Sequence, residues 1–487
     1  MRRRWAGAAA VAALVVGSAT SAQGAQPPGP QGFSPGAPGI GDRYYPLDGN
    51  GGYDVDRYAL DLRYDPASDE LSGTATIVAR ATQDLTSFDL DLKGMSTSAL
   101  TVDGAPARHW QVGGELVVAP AAPIAVGALF TTVVTYSGVP RTVEDQLGTS
   151  GFIHTDDGAV VAGQPEGAAT WFPVNDHPRD AASYEVSVTV PEGLEAISNG
   201  SFAGSSSAGG WTTWNWSAPD PMASYLLTLA VGEFDLTTRE VGGLTYLDAL
   251  DPDVDRLQLG DDPAAPTAGA VARASLARQP EIVDFLSSQF GEYPFTDVGG
   301  IVDDDPSLGF ALETQTRPVY SPAFFTDALS GDSVVVHELA HQWFGDDVRL
   351  ASWQHIWLNE GFATYAEWLW AEREGQATLQ QIADAYGAIP AEDPFWSLRI
   401  GDPGPDHLFD APVYLRGALT LHALRLQVGE SAFWGTLRRW ADERSGEAVT
   451  TPQFTALAEE VSGQDLDAFF RTWLDTPARP GAPSQGA

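Results

Sequence analysis

Apolar and polar residues alternate through Tyr53-Asp54-Val55-Asp56-Arg57-Tyr58-Ala59-Leu60-Asp61-Leu62, as they do in a strand with one face buried. Similar strand-like runs follow at Ala75 to Ala81, Ser87 to Leu92, Leu116 to Val118, Thr131 to Tyr136 and Tyr184 to Val190, with turn residues between them. No convincing amphipathic helix interrupts them, so residues 41–245 are read as a β-rich domain. The pattern changes near residue 265. Ala265 to Phe290 reads as one helix, and Val298 to Val302 and Ala311 to Tyr320 read as extended. From Asp332 helices dominate: Ser333 to Phe344, Glu360 to Glu374, and a third starting near Tyr414. Thr451 with Pro452 reads as an N-cap and first-turn pair. Leu466, Phe469, Phe470 and Trp473 form a stripe that belongs in the core. The expected fold class is α+β multidomain, with a second, mainly helical domain over residues 246–476.

The ends carry other signals. Arg2, Arg3 and Arg4 precede an apolar run from Ala6 to Val16, and small residues follow to Ala25. That is the layout of a secretory signal peptide over residues 1–25, so secretion is expected, by the general or the twin-arginine route. The run is too short to span a bilayer, and no later stretch is long and apolar enough. Residues 26–40, rich in Pro and Gly, read as a flexible lead-in, and residues 477–487 as a disordered tail.

Composition narrows the function classes. Acidic residues outnumber basic ones 65 to 26, which excludes nucleic acid as a natural partner and disfavours anionic membranes. Lys93 is the single lysine. With no cysteine there are no disulfides, and any metal site must be built from His and carboxylates.

Only eight His are present, and two of them stand four apart in His337-Glu338-Leu339-Ala340-His341. On a helix that spacing puts both imidazoles on one face, within reach of one ion, with Glu338 beside them to take a proton from water. A catalytic zinc takes three protein ligands and keeps a position for water. Glu360, in Asn359-Glu360-Gly361-Phe362-Ala363-Thr364-Tyr365, opens the next helix and supplies the third ligand after a gap of 18 residues. One zinc ion per chain, held by His337, His341 and Glu360, is therefore expected.

The strings HELAHQWFGD and NEGFATY, with the 18-residue gap, resemble the aminopeptidase N family of gluzincin zinc metallopeptidases. Thermolysin-like endopeptidases share the helix motif but have a gap one residue longer. The resemblance implies a saddle-like β domain followed by a thermolysin-like catalytic domain, and peptide substrates with a free N-terminus. It also implies roles for further residues. Ala311-Leu312-Glu313-Thr314 resembles the family's Gly-x-Met-Glu-Asn strand, with Phe310, Leu312 and Thr314 departing from it; Glu313 would hold the substrate α-amine, next to Ala311. Gln164-Pro165-Glu166 resembles Gln-x-Glu, making Gln164 and Glu166 a second amine contact, and Tyr414 in Tyr-Leu-Arg-Gly-Ala would stabilise the tetrahedral intermediate. The likeness runs from Tyr53 to Leu474, whereas larger members continue into further domains, which implies a more open cleft. Two alternatives remain at this stage: an endopeptidase of thermolysin type, and a non-catalytic peptide-binding protein of the same fold.

The remaining candidates are read structurally. His355 is assigned to packing or to the surface, the aromatic set Trp357, Phe362, Tyr365 and Trp368 to packing, His177 to a turn or, as the alternative, to the domain interface, and Asp303, Asp304 and Asp305 to an exposed acidic loop.

Overall fold

The alternation that begins at Tyr53 builds the strand Tyr53–Asp65, which buries every second side chain except at a bulge between Val55 and Arg57. The computed structural model describes residues 32–481, apart from 261 and 263. The signal peptide, most of the first half of the lead-in and the last six residues of the tail lie outside the described residues. Tyr53–Asp65 sits near the middle of an eight-stranded sheet, antiparallel to Glu70–Ala81 and parallel to Ala181–Pro191. A four-stranded sheet containing Leu85–Asp91 and Glu115–Ala119 packs with it, and a five-stranded sheet runs from Thr142–Asp145 to Glu195–Ser198. All six strand expectations fall on observed strands, because burial of one face is what both the pattern and the sheet express.

The domain boundary moves. Asp235–Val241 and Leu244–Leu250 pair with each other, and the second runs parallel to Asp297–Val302. They belong to the sheet of the second domain, so the crossover lies near residue 233 and not at 245. Alternation announces a strand but does not say which sheet it joins. The lead-in is also shorter than expected: Ser34–Pro35 pairs with the start of Leu85–Asp91, and Gly36 N–H donates to Ser87 O.

The single helix expected over Ala265 to Phe290 is two, α1 (Ala268–Leu276) and α2 (Gln279–Phe290). Pro280 lacks a donor and suits a first turn, so the chain restarts there. Then follow α3 (Ala328–His341), α4 (Trp357–Arg373), α5 (Leu379–Gly387), α6 (Ala411–Val428), α7 (Glu430–Glu443) and α8 (Thr451–Ser462). The cap of α8 is Thr450, one residue before the expected Thr451, and it closes a capping box with Gln453. Between Ala311–Leu312 and Val319–Tyr320 the chain makes a turn, with Thr316 at φ 65°, where continuous extension was expected. Asp303 is buried, its carboxylate accepting the Asp305 N–H, so that segment is no exposed loop. No helix among the described residues is long and apolar enough to cross a membrane.

A short strap ahead of the first long strand fastens the two domains. The buried Asp42 carboxylate accepts from Ser352 Oγ (2.8 Å) and the Trp353 N–H (3.0 Å), just before α4, and lies 3.1 Å from His177 Nε2. His177 Nδ1 accepts the Arg179 N–H, so the proton sits on Nε2 and a neutral imidazole donates to Asp42. Burial would raise the Asp42 pKa, but these donors hold the carboxyl well below its ordinary range. His177 is therefore a turn residue buried at the domain interface. Asp42→Ala leaves these three donors without their acceptor, and urea denaturation is expected to show a loss of about 3–5 kcal/mol.

Candidate active site

α3 starts at Asp327, whose side chain accepts the N–H groups of Leu329 and Ser330, and it ends at His341. The i, i+4 spacing places the rings of His337 and His341 edge to face, 4.8 Å apart. Each imidazole is fixed from behind. His337 Nδ1 donates to Glu367 Oε1 (2.7 Å), and His341 Nδ1 donates to the Phe344 carbonyl (3.0 Å). That carbonyl is in position because Gly345, at φ 138°, turns the chain back beneath the helix end. Both Nε2 atoms are thereby left as acceptors facing the same point.

Glu360 lies in the first turn of α4, and one of its oxygens is 3.3 Å from His337 Nε2 and 3.4 Å from His341 Nε2. Glu367 is two turns further along the same face. α4 can come this close to α6 because two glycines meet: a Cβ on Gly361 would stand 2.9 Å from the Gly417 Cα. Three residues before Gly417, Tyr414 stacks its ring on His337, centroids 5.9 Å apart. Burial keeps its phenol protonated far above the ordinary range.

Glu313 arrives from the turn after Ala311–Leu312, an edge position of the second domain's sheet. Its Oε1 accepts from Gln164 Nε2 (3.0 Å) and from the Tyr225 hydroxyl (3.2 Å), both on the β domain. Gln342, following the second His, donates to the Glu313 carbonyl and accepts the Thr316 N–H, locking the turn to the end of α3. Glu338 is buried between the two clusters, with ligand-type atoms of Glu313, Glu338 and His341 all within 4.8 Å of one another. Glu166 behaves differently from its expected partner Glu313. It is held at 2.6 Å by Lys93, the chain's one lysine, and Asp48 lies 3.8 Å from the same ammonium. Glu166 is already neutralised by the protein, so Glu313 is the carboxylate left uncompensated.

The donor set fits zinc. The ligand atoms of His337, His341 and Glu360 lie within 4.8 Å of one another. A tetrahedral ion with bonds of about 2.0 Å sets its ligands about 3.3 Å apart, close to the two separations from Glu360. Electrostatics point the same way. Burial disfavours a charged imidazole, yet Glu360 and Glu367 raise His337 well above its usual range, and Glu360 and Glu313 push His341 up to about 9. Burial pushes Glu338 up to about 8, while the two His overcome burial and hold Glu360 down at about 2. The cluster holds more carboxylate than it can balance, and a dication corrects that.

Residues 319–473 match the peptidase family M1 domain, and residues 148–226 match the peptidase M1 N-terminal domain. The M1 zinc metallopeptidase from Deinococcus radiodurans superimposes with a TM-score of 0.79 at 31% identity, covering 92% of this chain and 100% of that one. The chain belongs to peptidase family M1. A variant of the Deinococcus radiodurans M1 zinc metallopeptidase, bound to a Tyr-Ser-Ala substrate, matches at 30% identity with a TM-score of 0.80 and the same coverage. Glutamyl aminopeptidase of Bos taurus is 26% identical over 338 residues, 65% of this chain and 34% of that protein. Aminopeptidase N of Haemonchus contortus is 27% identical over 330 residues, 62% of this chain and 32% of that protein. This M1 chain therefore spans about a third of the length of those curated relatives, and zinc is its cofactor.

Sequence reasoning missed Glu367, Tyr225, Gln342 and Lys93. For Glu367 a signal existed, a carboxylate seven residues after Glu360 on the same helix face. Glu367→Gln is expected to weaken zinc binding by about 10–100-fold in competition with a chelator, with α4 still folded by circular dichroism. Gly417→Ala should lower stability by about 1–3 kcal/mol in thermal unfolding, since the helices must separate.

Proposed function

We propose that this M1 protein is a secreted zinc aminopeptidase that removes the N-terminal residue from peptides. The observation that carries the reading is the spacing between Glu313 and the His-Glu cluster, with Glu313, Glu338 and His341 inside 4.8 Å. Consecutive Cα atoms are about 3.8 Å apart, so an ammonium seated on Glu313 leaves room for one residue before a carbonyl reaches the cluster. A peptide without a free amine would instead set an uncharged group against a buried carboxylate. Secretion rests on Arg2 to Arg4 and the apolar run to Val16.

Zinc held by His337, His341 and Glu360 supplies Lewis acidity toward the scissile carbonyl and toward water. Glu338, unpaired by any side-chain hydrogen bond among the described residues, takes the proton of the attacking water and hands it to the leaving amine. The Tyr414 phenol, held protonated, donates to the carbonyl oxygen as negative charge develops there. Gln164 and Tyr225 fix one oxygen of Glu313 and leave the other for the ammonium. The edge strand at Ala311 offers main-chain groups to an extended peptide. Glu166, neutralised by Lys93, supports the loop that carries Gln164.

The test is a comparison of leucine p-nitroanilide with its N-acetylated form, run with wild type and Glu338→Gln. Wild type should cleave only the free-amine substrate. Glu338→Gln should lose about 10²–10⁴-fold in kcat while retaining its zinc. Preference for the acetylated substrate would contradict the reading.

A further inference from the structure

The aminopeptidase reading leaves open which N-terminal side chain is accepted. A cavity of about 110 Å³ opens beside the reaction centre, and three of its walls belong to the machinery already described: Gln164, Ala311 and Tyr414. Gln164, which lines the cavity, donates to Glu313 Oε1, so the cavity adjoins the seat assigned above to the substrate amine. Phe310 and Phe409 add two aromatic faces to that of Tyr414, and Leu147 packs beside them. The polar lining consists of the Asp145 carboxylate, an acceptor only, with the Gln164 amide and the hydroxyls of Thr149 and Ser150, which donate as well as accept.

Among the described residues no Lys, Arg or His lines this cavity. Lys93, on the adjoining Glu166, has its charge taken up by that residue and Asp48. Asp145 stands at the tip of the hairpin formed by Thr142–Asp145 and Gly148–His154, and its Oδ1 accepts the Leu147 N–H at 2.7 Å. That bond orients the carboxylate, which is exposed at the cavity's rim, while Oδ2 makes no hydrogen bond to another described residue. Three aromatic faces with an oriented carboxylate and no competing cation are the surroundings that favour a cationic group on an apolar stem. Phe310 stands where the family resemblance places a glycine, so one of those faces departs from the pattern the resemblance implies.

We propose that the cavity is selective for a basic N-terminal side chain, arginine or lysine, with Asp145 as the specificity-determining residue. This rests on the aminopeptidase reading and deepens it. A panel of arginyl, lysyl, leucyl and glutamyl p-nitroanilides, measured with wild type, Asp145→Asn and Asp145→Glu, tests the assignment. Wild type should show the highest kcat/KM on the two basic substrates. Asp145→Asn should lower kcat/KM for arginyl and lysyl substrates about tenfold, mainly through KM, and leave leucyl hydrolysis within about twofold. Asp145→Glu should restore part of the basic preference, which a merely structural role of the loop would not produce. Faster cleavage of the leucyl substrate by wild type, or an equal loss on all substrates in Asp145→Asn, overturns the proposal and leaves the aminopeptidase reading standing. If zinc-loaded protein cleaves none of the four, both fall together.

Discussion

A carboxylate buried among other carboxylates is costly, and Glu313 is held in that position by groups from both domains. Gln164 and Tyr225 reach it from the β domain, and Gln342 grips its backbone from the end of α3. Behind the turn, the buried Arg317 guanidinium donates to the carbonyls of Leu247, Val298 and Gly200, tying the catalytic sheet to the β domain. Asn199 donates to the Gln315 carbonyl across the same seam. These contacts set the distance between Glu313 and the metal ligands, the distance on which the proposed removal of one residue at a time depends. The β domain is therefore part of the active site, and the strap at Asp42 fastens it just ahead of the helix that carries Glu360.

The helical side meets a second constraint. Three metal ligands and Tyr414 come from α3, α4 and α6, whose axes must approach closely. Gly361 and Gly417 permit that approach, and each is next to or one turn from the functional residue it helps to place. The hydrogen bonds behind the His rings then convert proximity into orientation, since each Nδ1 is committed elsewhere and each Nε2 is turned toward Glu360.

What the sequence reveals follows from how local each feature is. His337, Glu338 and His341 share a single helical turn and a bit, so spacing alone places them on one face. The strands were legible because each buries alternate side chains whatever its neighbours. The assignment of Leu244–Leu250 to a sheet depends on Asp297–Val302, some fifty residues away, and no local pattern encodes it. The pairing of Lys93 with Glu166 joins a strand end to a distant loop, and its consequence, a second carboxylate already neutralised, emerges only in three dimensions. The composition of Asn175-Asp176-His177-Pro178 encodes a turn, and the turn is present; its burial depends on Asp42, more than a hundred residues earlier. Glu367 shares a helix face with Glu360, so its place near the His pair is encoded locally, but its partner His337 Nδ1 becomes evident only once α3 and α4 are packed together.

The central claim is that Glu313 measures one residue from the metal, and product analysis by mass spectrometry addresses it most directly. A ten-residue peptide and its N-acetylated twin are incubated with zinc-loaded protein, and the products are followed over time. The account predicts a ladder of fragments shortened one residue at a time from the free N-terminus, with the acetylated peptide intact. Internal fragments from the acetylated peptide would contradict it.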